Sequence, residues 1–564
     1  MKGFDFCPRL FSDLKTYNKK TFTADVMAGI IVGIVALPLA IAFGIASGVS
    51  PEKGIITAIV AGFLVSALGG SRVQIGGPTG AFIIIIYGII QEYGESGLII
   101  ATLLAGVFLI LLGVFKLGTI IKYIPYPIVV GFTSGIAVTI FTTQIKDLFG
   151  LSIEKLPADF IGALGVYATS FSTLDLWSSI VGVASILIIT ATPRFSKKIP
   201  GSLLAIIFMT VGVYLLKLYA NIDSVETIGD RFSINTNMPE AQVPVITWEM
   251  IKKLLPAALT IAILGAIESL LSATVADGVI SDKHNSNQEL IGQGIANLCT
   301  PIFGGIPATG AIARTMTNIN NGGRTPVAGI IHAIVLLLIF LFLMPLAKYI
   351  PMACLSGVLV VVAYKMSGWR TFRGLMSNPK SDVSVLLATF FLTVIFDLTV
   401  AIEIGLVIAC LFFMKRAAET TQVSVITDEI DPNAELDFKL HEELLTIPDG
   451  VEVYEINGPY FFGIANKFED LMASFGNRPT VRIIRMRKVP FIDSTGIHNL
   501  ISLCKMSNKE HIQIILSGVN EKVAATLKKA NFYDTLNERH ICSNINEALE
   551  KAEYYIQQSK TLKD

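Results

Sequence analysis

Gly76-Gly77-Pro78-Thr79-Gly80-Ala81-Phe82 is the stretch that decides the fold, because a second stretch repeats its pattern. The second is Gly304-Gly305-Ile306-Pro307-Ala308-Thr309-Gly310-Ala311-Ile312, and the shared Thr-Gly-Ala lies 230 residues later (309 − 79). The same offset aligns three other small residues with later partners: Ala46, Gly48 and Val49 with Ala276, Gly278 and Val279. One constant offset over this length indicates a duplicated unit.

Glycine and proline interrupt regular helices, and proline is favoured just before or at a helix start. Each copy is therefore predicted to form an extended strand to mid-membrane and then a half-helix beginning near Thr79 or Thr309. Helix N-termini offer free N–H groups and the positive end of a dipole, which together bind anions. The predicted substrate-binding residues are Thr79, Gly80, Ala81, Thr309, Gly310, Ala311 and Ile312. Alternatively, these glycines only permit close helix packing.

The composition is that of a membrane protein. The 564 residues are 52% hydrophobic and 16% charged, and the mean hydropathy is +0.63; soluble proteins carry about 25% charged residues. Long apolar runs, near the ~20 residues that a spanning helix needs, fill the chain up to residue 416, and the remainder is charged and mixed. We expect an all-α membrane domain followed by a soluble α/β domain.

The predicted boundaries follow this shift in composition. They are an N-terminal cytoplasmic segment 1–22, a first membrane repeat 23–220, an extracytoplasmic linker 221–250, a second membrane repeat 251–416, a linker 417–436 and a cytoplasmic domain 437–564.

Lysine and arginine set the expected orientation. With a cytoplasmic N-terminus, the loops on that side receive most of the basic residues, and the outer loops receive mostly acids such as Glu92, Glu95, Asp223 and Glu226. This positive-inside pattern predicts about fourteen spans, two of them half-length, with both termini in the cytoplasm and the chain in the inner (plasma) membrane. Seven spans in each unit, an odd number, would make the units inverted relative to each other.

Several classes of protein are disfavoured. The net charge of zero indicates no nucleic-acid partner. The six cysteines are scattered without a CxxC pair, so neither a metal site nor a disulfide framework is indicated. The first apolar run is too long for the core of a cleavable signal peptide. The absence of a Walker loop, nucleophile elbow or metal cluster argues against an enzyme, which leaves a small anion and the lipid bilayer as expected partners.

Glu268 is an acid inside an apolar run, Ile263-Leu264-Gly265-Ala266-Ile267-Glu268-Ser269-Leu270-Leu271-Ser272. A charge within a span costs about 2.5–3.5 kcal/mol on insertion scales and is functional by default. Ser272 lies one helical turn later on the same face. Because a negative charge beside an anion calls for a bound proton or cation, Glu268 and Ser272 are predicted to bind a coupling ion, H⁺ or Na⁺. The alternative is a structural carboxylate that hydrogen-bonds a half-helix end.

Arg314 lies four residues after Gly310, one turn into the second predicted half-helix. Its planar donors suit oxyanions, so it joins the predicted substrate-binding residues. An ion pair with Glu268 is the equal alternative. Lys146 and Asp147 are interpreted as the outer end of a helix.

The tail alternates strand and helix patterns. Strands are predicted at 451–456, 480–486 and 512–517, and helices at 464–475, 494–508, 520–531 and 544–556, which is typical of an α/β domain. Asp493 or Ser494 is placed to cap the second of these helices. Capping is the favoured role, and phosphorylation of Ser494 is the regulatory alternative.

The chain resembles the SulP anion transporters over nearly its whole length, and its tail resembles a STAS domain through Asp493-Ser494-Thr495-Gly496. The matching membrane stretches are Ala36-Leu37-Pro38 with Ala46-Ser47-Gly48, Gly77-Pro78-Thr79-Gly80, Ile267-Glu268-Ser269 with His284 and Asn287-Gln288-Glu289-Leu290, and Ala311-Ile312-Ala313-Arg314-Thr315 with Asn318.

The resemblance implies a 7+7 inverted repeat divided into core and gate subdomains, a homodimer and elevator-like alternating access. It places the substrate near Thr79–Ala81 and Gly310–Ile312, with Glu268 at the coupling position and Arg314 at a basic position common in the family. A cytoplasmic protein partner of the STAS domain is a further expectation.

Substrate identity is less constrained. Sulfate is the family default, but Leu39 stands where many sulfate-type members have Gln. Glu268 and Arg314 differ from the Asp and Gly of sodium-coupled bicarbonate members, and the stretch around Arg314 resembles proton-coupled bacterial members, including a C4-dicarboxylate carrier. Two other classes stay open: a nucleobase permease, and a membrane-tethered signalling protein that acts through its tail.

Overall fold

The computed structural model describes residues 6–119, 125–153, 156–157, 159–195, 200–233, 247–396, 398–420, 422–426, 429–430, 445–461 and 479–561. Two compact units divide the chain, residues 1–409 and residues 410–564. Each is described separately below.

The first half of the membrane unit is helical because its long apolar runs must satisfy their backbone polar groups internally. Its helices are α1 (Arg9–Leu14), α2 (Lys19–Ala46), α3 (Pro51–Leu68), α4 (Ile83–Val114), α5 (Tyr126–Leu148), α6 (Phe160–Ser170), α7 (Leu176–Phe195), α8 (Gly201–Ala220) and α9 (Ile228–Arg231). Gly94 breaks α4 into two helical segments through a φ of +66°, which glycine adopts without a steric penalty.

The second half of the membrane unit is also helical. Its helices are α10 (Trp248–Ile280), α11 (Ser286–Cys299), α12 (Ile312–Asn320), α13 (Val327–Ala347), α14 (Met352–Met366), α15 (Trp369–Leu375), α16 (Lys380–Ile395) and α17 (Leu398–Thr420). Within the described residues, nine helical segments are long and apolar enough to cross a membrane. The protein is therefore a multi-pass membrane protein.

The two ends of the membrane unit are marked by short helices. At one end, which we call the α1 face, Arg9 and Arg72 form ion pairs with Asp13 and Asp282. At the other, the α9 face, the Ile228 N–H donates to Ile350 O at 2.9 Å. Helix α13 connects the two faces, and its 21 residues correspond to about 30 Å, the thickness of a bilayer core.

Two short strands meet inside the helical bundle. Strand β1 (Gly76–Gly77) and strand β2 (Thr309–Gly310) pair in antiparallel register, Gly76 with Gly310 and Gly77 with Thr309. Both strands are fully buried. The extended segments predicted before each half-helix are therefore present, and they hydrogen-bond to each other.

The soluble unit is built on one five-stranded sheet. Its strands are β3 (Gln422–Ile426), β6 (Val451–Asn457), β7 (Val481–Arg485), β8 (Gln513–Ser517) and β9 (Ile541–Cys542), in that spatial order, and a separate pair is formed by β4 (Glu429–Ile430) and β5 (Leu445–Thr446). Strand β3 is antiparallel to β6, and the other pairings are parallel. Every residue of the central strand β7 is buried, because apolar clusters cover both faces of the sheet.

Three helices of this unit agree with the predicted pattern: α18 (Ser494–Lys509), α19 (Glu521–Lys529) and α20 (Ile545–Thr561). The helix predicted at 464–475 lies outside the described residues. Asp493 caps α18, since its carboxylate accepts from the Gly496 N–H at 2.7 Å. The segment predicted as a linker at 417–436 carries strand β3, whose short period-two pattern is too brief to stand out in the sequence.

Candidate functional site

The chain passes from β1 into its half-helix through Thr79–Phe82, which we call tip 1. Thr79 is extended, Gly80–Phe82 form one 3₁₀ turn, and α4 continues from Ile83. The first N–H to bond within the turn is that of Phe82, to Thr79 O at 3.3 Å, so the N–H groups of Gly80 and Ala81 precede the helical ladder. This half-helix runs toward the α9 face, where Tyr87 approaches Gly48 beyond the end of α2.

Tip 2 is Thr309–Ile312, which connects β2 to α12. Ala311 is extended and α12 begins at Ile312. The N–H groups of Ile312, Ala313 and Arg314 precede the first helical donor, Thr315, which bonds Ala311 O at 2.9 Å. Helix α12 runs the opposite way, toward the α1 face, where Arg324 and Thr325 donate backbone N–H groups to Asp25 on α2. The tips thus present two oppositely directed helix N-termini, an arrangement that favours negative charge.

Neighbouring residues of α10 contact the two tips. Glu268 Oε2 accepts from the Thr79 hydroxyl of tip 1 at 3.0 Å. Ser269 Oγ lies 2.7 Å from Thr309 Oγ1 and accepts from the Gly310 N–H of tip 2 at 3.1 Å. The predicted contact between Glu268 and a half-helix start is therefore present, and α10 holds both tips through adjacent side chains.

Arg314 joins tip 2 to the strand that enters tip 1. Its guanidinium donates to Gly76 O at 3.3 Å and to Pro78 O, and the side chain is 2% exposed. Arg314 and Glu268 form no ion pair in the described structure, so the alternative of a direct pair is not realised. Because two of its five donors are used, Arg314 supplies fixed positive charge with donors to spare.

Gly77 shows why this crossing needs glycine. Its φ is +147°, and a Cβ atom there would overlap the Arg314 guanidinium. Gly77 thus permits a close approach of Arg314 to the backbone, as the packing interpretation expects, and the anion-site interpretation stays a prediction.

Ser272 lies elsewhere. It is fully buried and its hydroxyl donates to Thr315 Oγ1 at 3.3 Å. Thr315 in turn accepts from the Ile75 N–H at 3.1 Å, and the Asn318 amide donates to Val73 O at 2.9 Å. Ser272 therefore helps to hold the β1 strand, and no hydrogen bond joins it to Glu268 among the described residues.

A cavity of about 690 Å³ opens between the tips and the facing helices. Its lining includes seven of the predicted site residues: Thr79, Gly80, Glu268, Gly310, Ala311, Ile312 and Arg314. Three predicted residues are absent from the lining and fully buried, namely Ala81, Thr309 and Ser272. Tyr126 at the start of α5 and Asn321 after α12 line the cavity toward the α1 face.

The wall opposite the tips contributes Lys365, in the last turn of α14. This lysine is exposed and has no ion-pair partner among the described residues. Its neighbour Met366 reaches tip 1, since a Cβ on Gly80 would lie 3.0 Å from Met366 Sδ. Among the described residues, the charged groups that line the cavity are thus Glu268, Arg314 and Lys365.

Three residues of this site were not predicted. Ser269 follows Glu268 directly, Gln74 donates to Ser269 O at 3.1 Å, and Lys365 comes from a helix distant in sequence. A polar residue next to a buried acid was an available signal for Ser269. Nothing in the sequence places α14 opposite the tips, so Lys365 could be assigned to the cavity only from the structure.

Two family profiles match the chain. The profile of the sulfate permease family matches residues 22–389, and that of the STAS domain matches residues 444–548. The chain belongs to the sulfate permease family. It is therefore a membrane transporter of anions and not an enzyme, and the resemblance to SulP transporters is confirmed.

Sequence relatives of this sulfate permease family member span its full length. The putative sulfate transporter YvdB of Bacillus subtilis (strain 168) is 39% identical over 94% of this chain and 98% of its own length. The bicarbonate transporter BicA of Picosynechococcus sp. is 28% identical over 94% of this chain and 95% of its own length.

Solved structures share the fold. The transmembrane domain of a cyanobacterial bicarbonate transporter, BicA, superposes with a TM-score of 0.62 at 29% identity, over 70% of this chain and 98% of that one. Murine Slc26a9, an anion transporter in the inward-facing state, superposes with a TM-score of 0.85 at 18% identity, over 97% of this chain and 94% of that one. These likenesses confirm a mostly helical membrane domain followed by a STAS domain.

Proposed function

We propose that this protein is a proton-coupled symporter of a small inorganic anion, with sulfate as the first substrate to test. The observation that carries the proposal is the hydrogen bond between Glu268 and Thr79 at the rim of the shared cavity. The anion would bind between tips 1 and 2, beside Arg314. A proton on Glu268 would remove the charge that opposes anion binding, so that anion and proton bind together.

Relatives support two substrates. YvdB, the relative at 39% identity, is named a putative sulfate transporter, and BicA is a bicarbonate transporter. Leu39 lines the cavity as an apolar group where a polar contact to a tetrahedral oxyanion would be useful, which keeps bicarbonate and C4-dicarboxylates as alternatives. Na⁺ is the alternative coupling ion.

We further propose a 7+7 inverted repeat. The 230-residue offset shifts α2 onto 249–276, inside α10 (Trp248–Ile280), and α3 onto 281–298, which overlaps α11 (Ser286–Cys299). The opposite directions of the two half-helices support inversion. The break at Gly94 allows α4 to supply two spans, which brings the first unit to the predicted seven.

Helix packing supports an elevator. Helices α2, α3, α4, α10, α11, α12 and α13 pack mainly on one another, and a second set, α5, α7, α8, α14 and α16, does the same. Both tips belong to the first set. We propose that this core moves across the membrane relative to the second, gate set and carries the anion with it.

Orientation and assembly complete the proposal. We place the α1 face and both termini in the cytoplasm of a cell whose inner membrane holds the protein, and we expect a homodimer. The domain boundaries predicted from composition are retained as part of it.

Ser494 is exposed on the first turn of α18, where a phosphate would find the favourable end of the helix dipole. Phosphorylation there would alter binding of a cytoplasmic partner to the STAS domain.

The test is uptake of radiolabelled sulfate and bicarbonate into proteoliposomes that contain the full chain. An inward proton gradient should accelerate uptake of the transported anion, whereas a sodium gradient alone should not. Glu268→Gln should remove the stimulation, and Glu95→Gln, which neutralises a carboxylate paired with Lys53 outside the cavity, should keep it. Uptake by the wild-type protein that is indifferent to the proton gradient would refute proton coupling.

A further inference from the structure

A second, smaller cavity lies at the α9 face of the same helix interface. It measures about 190 Å³ and is lined by the ends of α2, α4 and α5, by Arg231 of α9 and by the start of α14. This is room for roughly six water-sized volumes, or for a small anion. Helices α2, α5 and α14 therefore line both cavities, one toward each face of the membrane unit.

A closed apolar layer separates the two cavities. Along α5, Thr133 lines the larger cavity and Thr143 the smaller one; ten residues correspond to about 15 Å. Between them Ile136 and Ile140 are fully buried, and they pack in one apolar cluster with Phe43 of α2 and Leu359 of α14. The small cavity thus lies on the continuation of the route from the tips, on the far side of a closed gate.

The lining of the small cavity favours an anion. Lys146 has no ion-pair partner among the described residues. Arg231 also lines the cavity, but it is neutralised by Asp147 at 2.7 Å and by Glu226. Among the described residues that line the cavity, Lys146 is consequently the charged side chain that forms no ion pair.

Ser356 is the second independent observation. It lies on α14, whose N-terminus begins four residues earlier at Met352, and both residues line the cavity. Its side chain is 2% exposed, yet its hydroxyl has no hydrogen-bond partner among the described residues. The hydroxyl is open to the cavity, where it can donate a hydrogen bond to a ligand, close to a helix end that favours negative charge.

We propose that this cavity is a second anion site, in which Lys146 and Ser356 bind a small inorganic anion of the transported class before or after it crosses the gate. The proposal rests on the proposed transport function and extends it to the α9 face. The ion pairs of Arg231 hold α9 over the cavity and leave Lys146 to attract the anion. In the outward arrangement of the elevator, the tips would meet an anion already concentrated there.

The experiment compares sulfate and bicarbonate uptake by intact cells with uptake by inverted membrane vesicles, which expose opposite faces of the full-length protein. Lys146→Gln and Ser356→Ala should each raise the KM for uptake by intact cells, which expose the α9 face to the medium. The rise should be roughly 10-fold for the lysine variant, as expected for loss of one charge-assisted contact. The KM in the other preparation should stay unchanged, and Lys146→Arg should retain most of the wild-type KM.

Lys348→Gln is the matched control, because Lys348 is stacked on Tyr349 and does not line the cavity; it should change neither KM. An unchanged KM for Lys146→Gln in both preparations, or an equal rise in both, would overturn the second site while leaving transport intact. A wild-type protein that transports neither anion would overturn the proposed function, and the second site with it.

Discussion

Tips 1 and 2 share the Thr-Gly-Ala sequence, yet they are held differently. Tip 1 hydrogen-bonds to Glu268, an ionisable group, and both Thr79 and Glu268 line the large cavity. Tip 2 hydrogen-bonds to Ser269, a neutral group, and both Ser269 and Thr309 are fully buried. Glu268 and Ser269 are adjacent on α10. Tip 1 is thus held by a side chain that can change its charge, and tip 2 is held by one that cannot.

This difference assigns different tasks to the two copies. The side chains of Ser269 and Thr309 are neutral, buried and hydrogen-bonded to each other, which suits tip 2 as a fixed wall of the site. A carboxyl at the cavity rim can gain or lose a proton as the substrate binds, which suits tip 1 as the responsive side. Under the proposed function, the two helix ends would share the anion, and the contact to Glu268 would make one of them sensitive to protons.

The largest effect is expected at Arg314, which ties the two tips together. Arg314→Gln removes donors to Gly76 O and Pro78 O and the fixed charge beside the anion. Since hydrogen bonds to charged groups contribute about 1.5–3 kcal/mol each, we expect a marked fall in melting temperature and an uptake rate lower by at least about 100-fold.

Arg324→Gln is the control for that variant, because Arg324 also donates to two carbonyls, Ile319 O and Gly323 O, but does not line the cavity. This variant should be less stable than the wild-type protein, but its uptake rate per folded molecule should equal that of the wild type. Normal uptake by Arg314→Gln would show that the tips act without this link.

The second-largest effects are expected for glycine substitutions, which should affect the two tips differently. A Cβ on Gly310 would overlap the Gln74 side-chain amide inside the fixed network, whereas one on Gly80 would meet Met366 at 3.0 Å across the cavity wall. Overpacking costs about 1–3 kcal/mol, so Gly310→Ala should lower the thermal stability clearly. Gly80→Ala should cost less stability and mainly slow transport.

Gly88→Ala on α4 is the matched control, as nothing lies within 4 Å of its Cβ position, and it should behave like the wild type in thermal unfolding and in uptake. Equal loss of stability at Gly80 and Gly310 would contradict the contrast between a responsive tip and a fixed one.

The hydrogen bonds of α10 offer a finer comparison. Ser269→Ala should cost about 1 kcal/mol of stability for its lost bonds and keep the stimulation of uptake by a proton gradient. Thr79→Val should cost a similar amount and weaken that stimulation, because it removes the partner of Glu268. Proton-gradient assays of both variants, run beside thermal unfolding, would expose the opposite pattern if the roles were reversed.

The smallest effect is expected for Ser272→Ala. Its single bond to Thr315, at 3.3 Å, is long, and removing it should cost about 0.5 kcal/mol. Uptake and its proton dependence should be unchanged. Loss of coupling in this variant would restore the coupling role that the sequence predicts for Ser272.

Much of this account could be predicted from the sequence, because the decisive signals are local. The Gly-Gly and proline residues before Thr79 and Thr309 predicted the strand and the half-helix. The position of Glu268 inside an apolar run identified it as a candidate site residue. The structure gives Ser272 and Glu268 different hydrogen-bond partners, although they share a helix face, because Ser272 donates to Thr315 of α12 and Glu268 accepts from Thr79. Lys365 and Lys146 acquire their positions from helices far away in sequence, and no local pattern reports such contacts.

The most direct test of the central claim is the position of a bound anion. A structure of the protein with a saturating concentration of an anion that it is shown to transport, such as selenate in place of sulfate, should show density between Thr79–Gly80 of tip 1 and Ala311–Ile312 of tip 2, beside Arg314. Density for the transported anion elsewhere, with the space between the tips empty, would contradict the account.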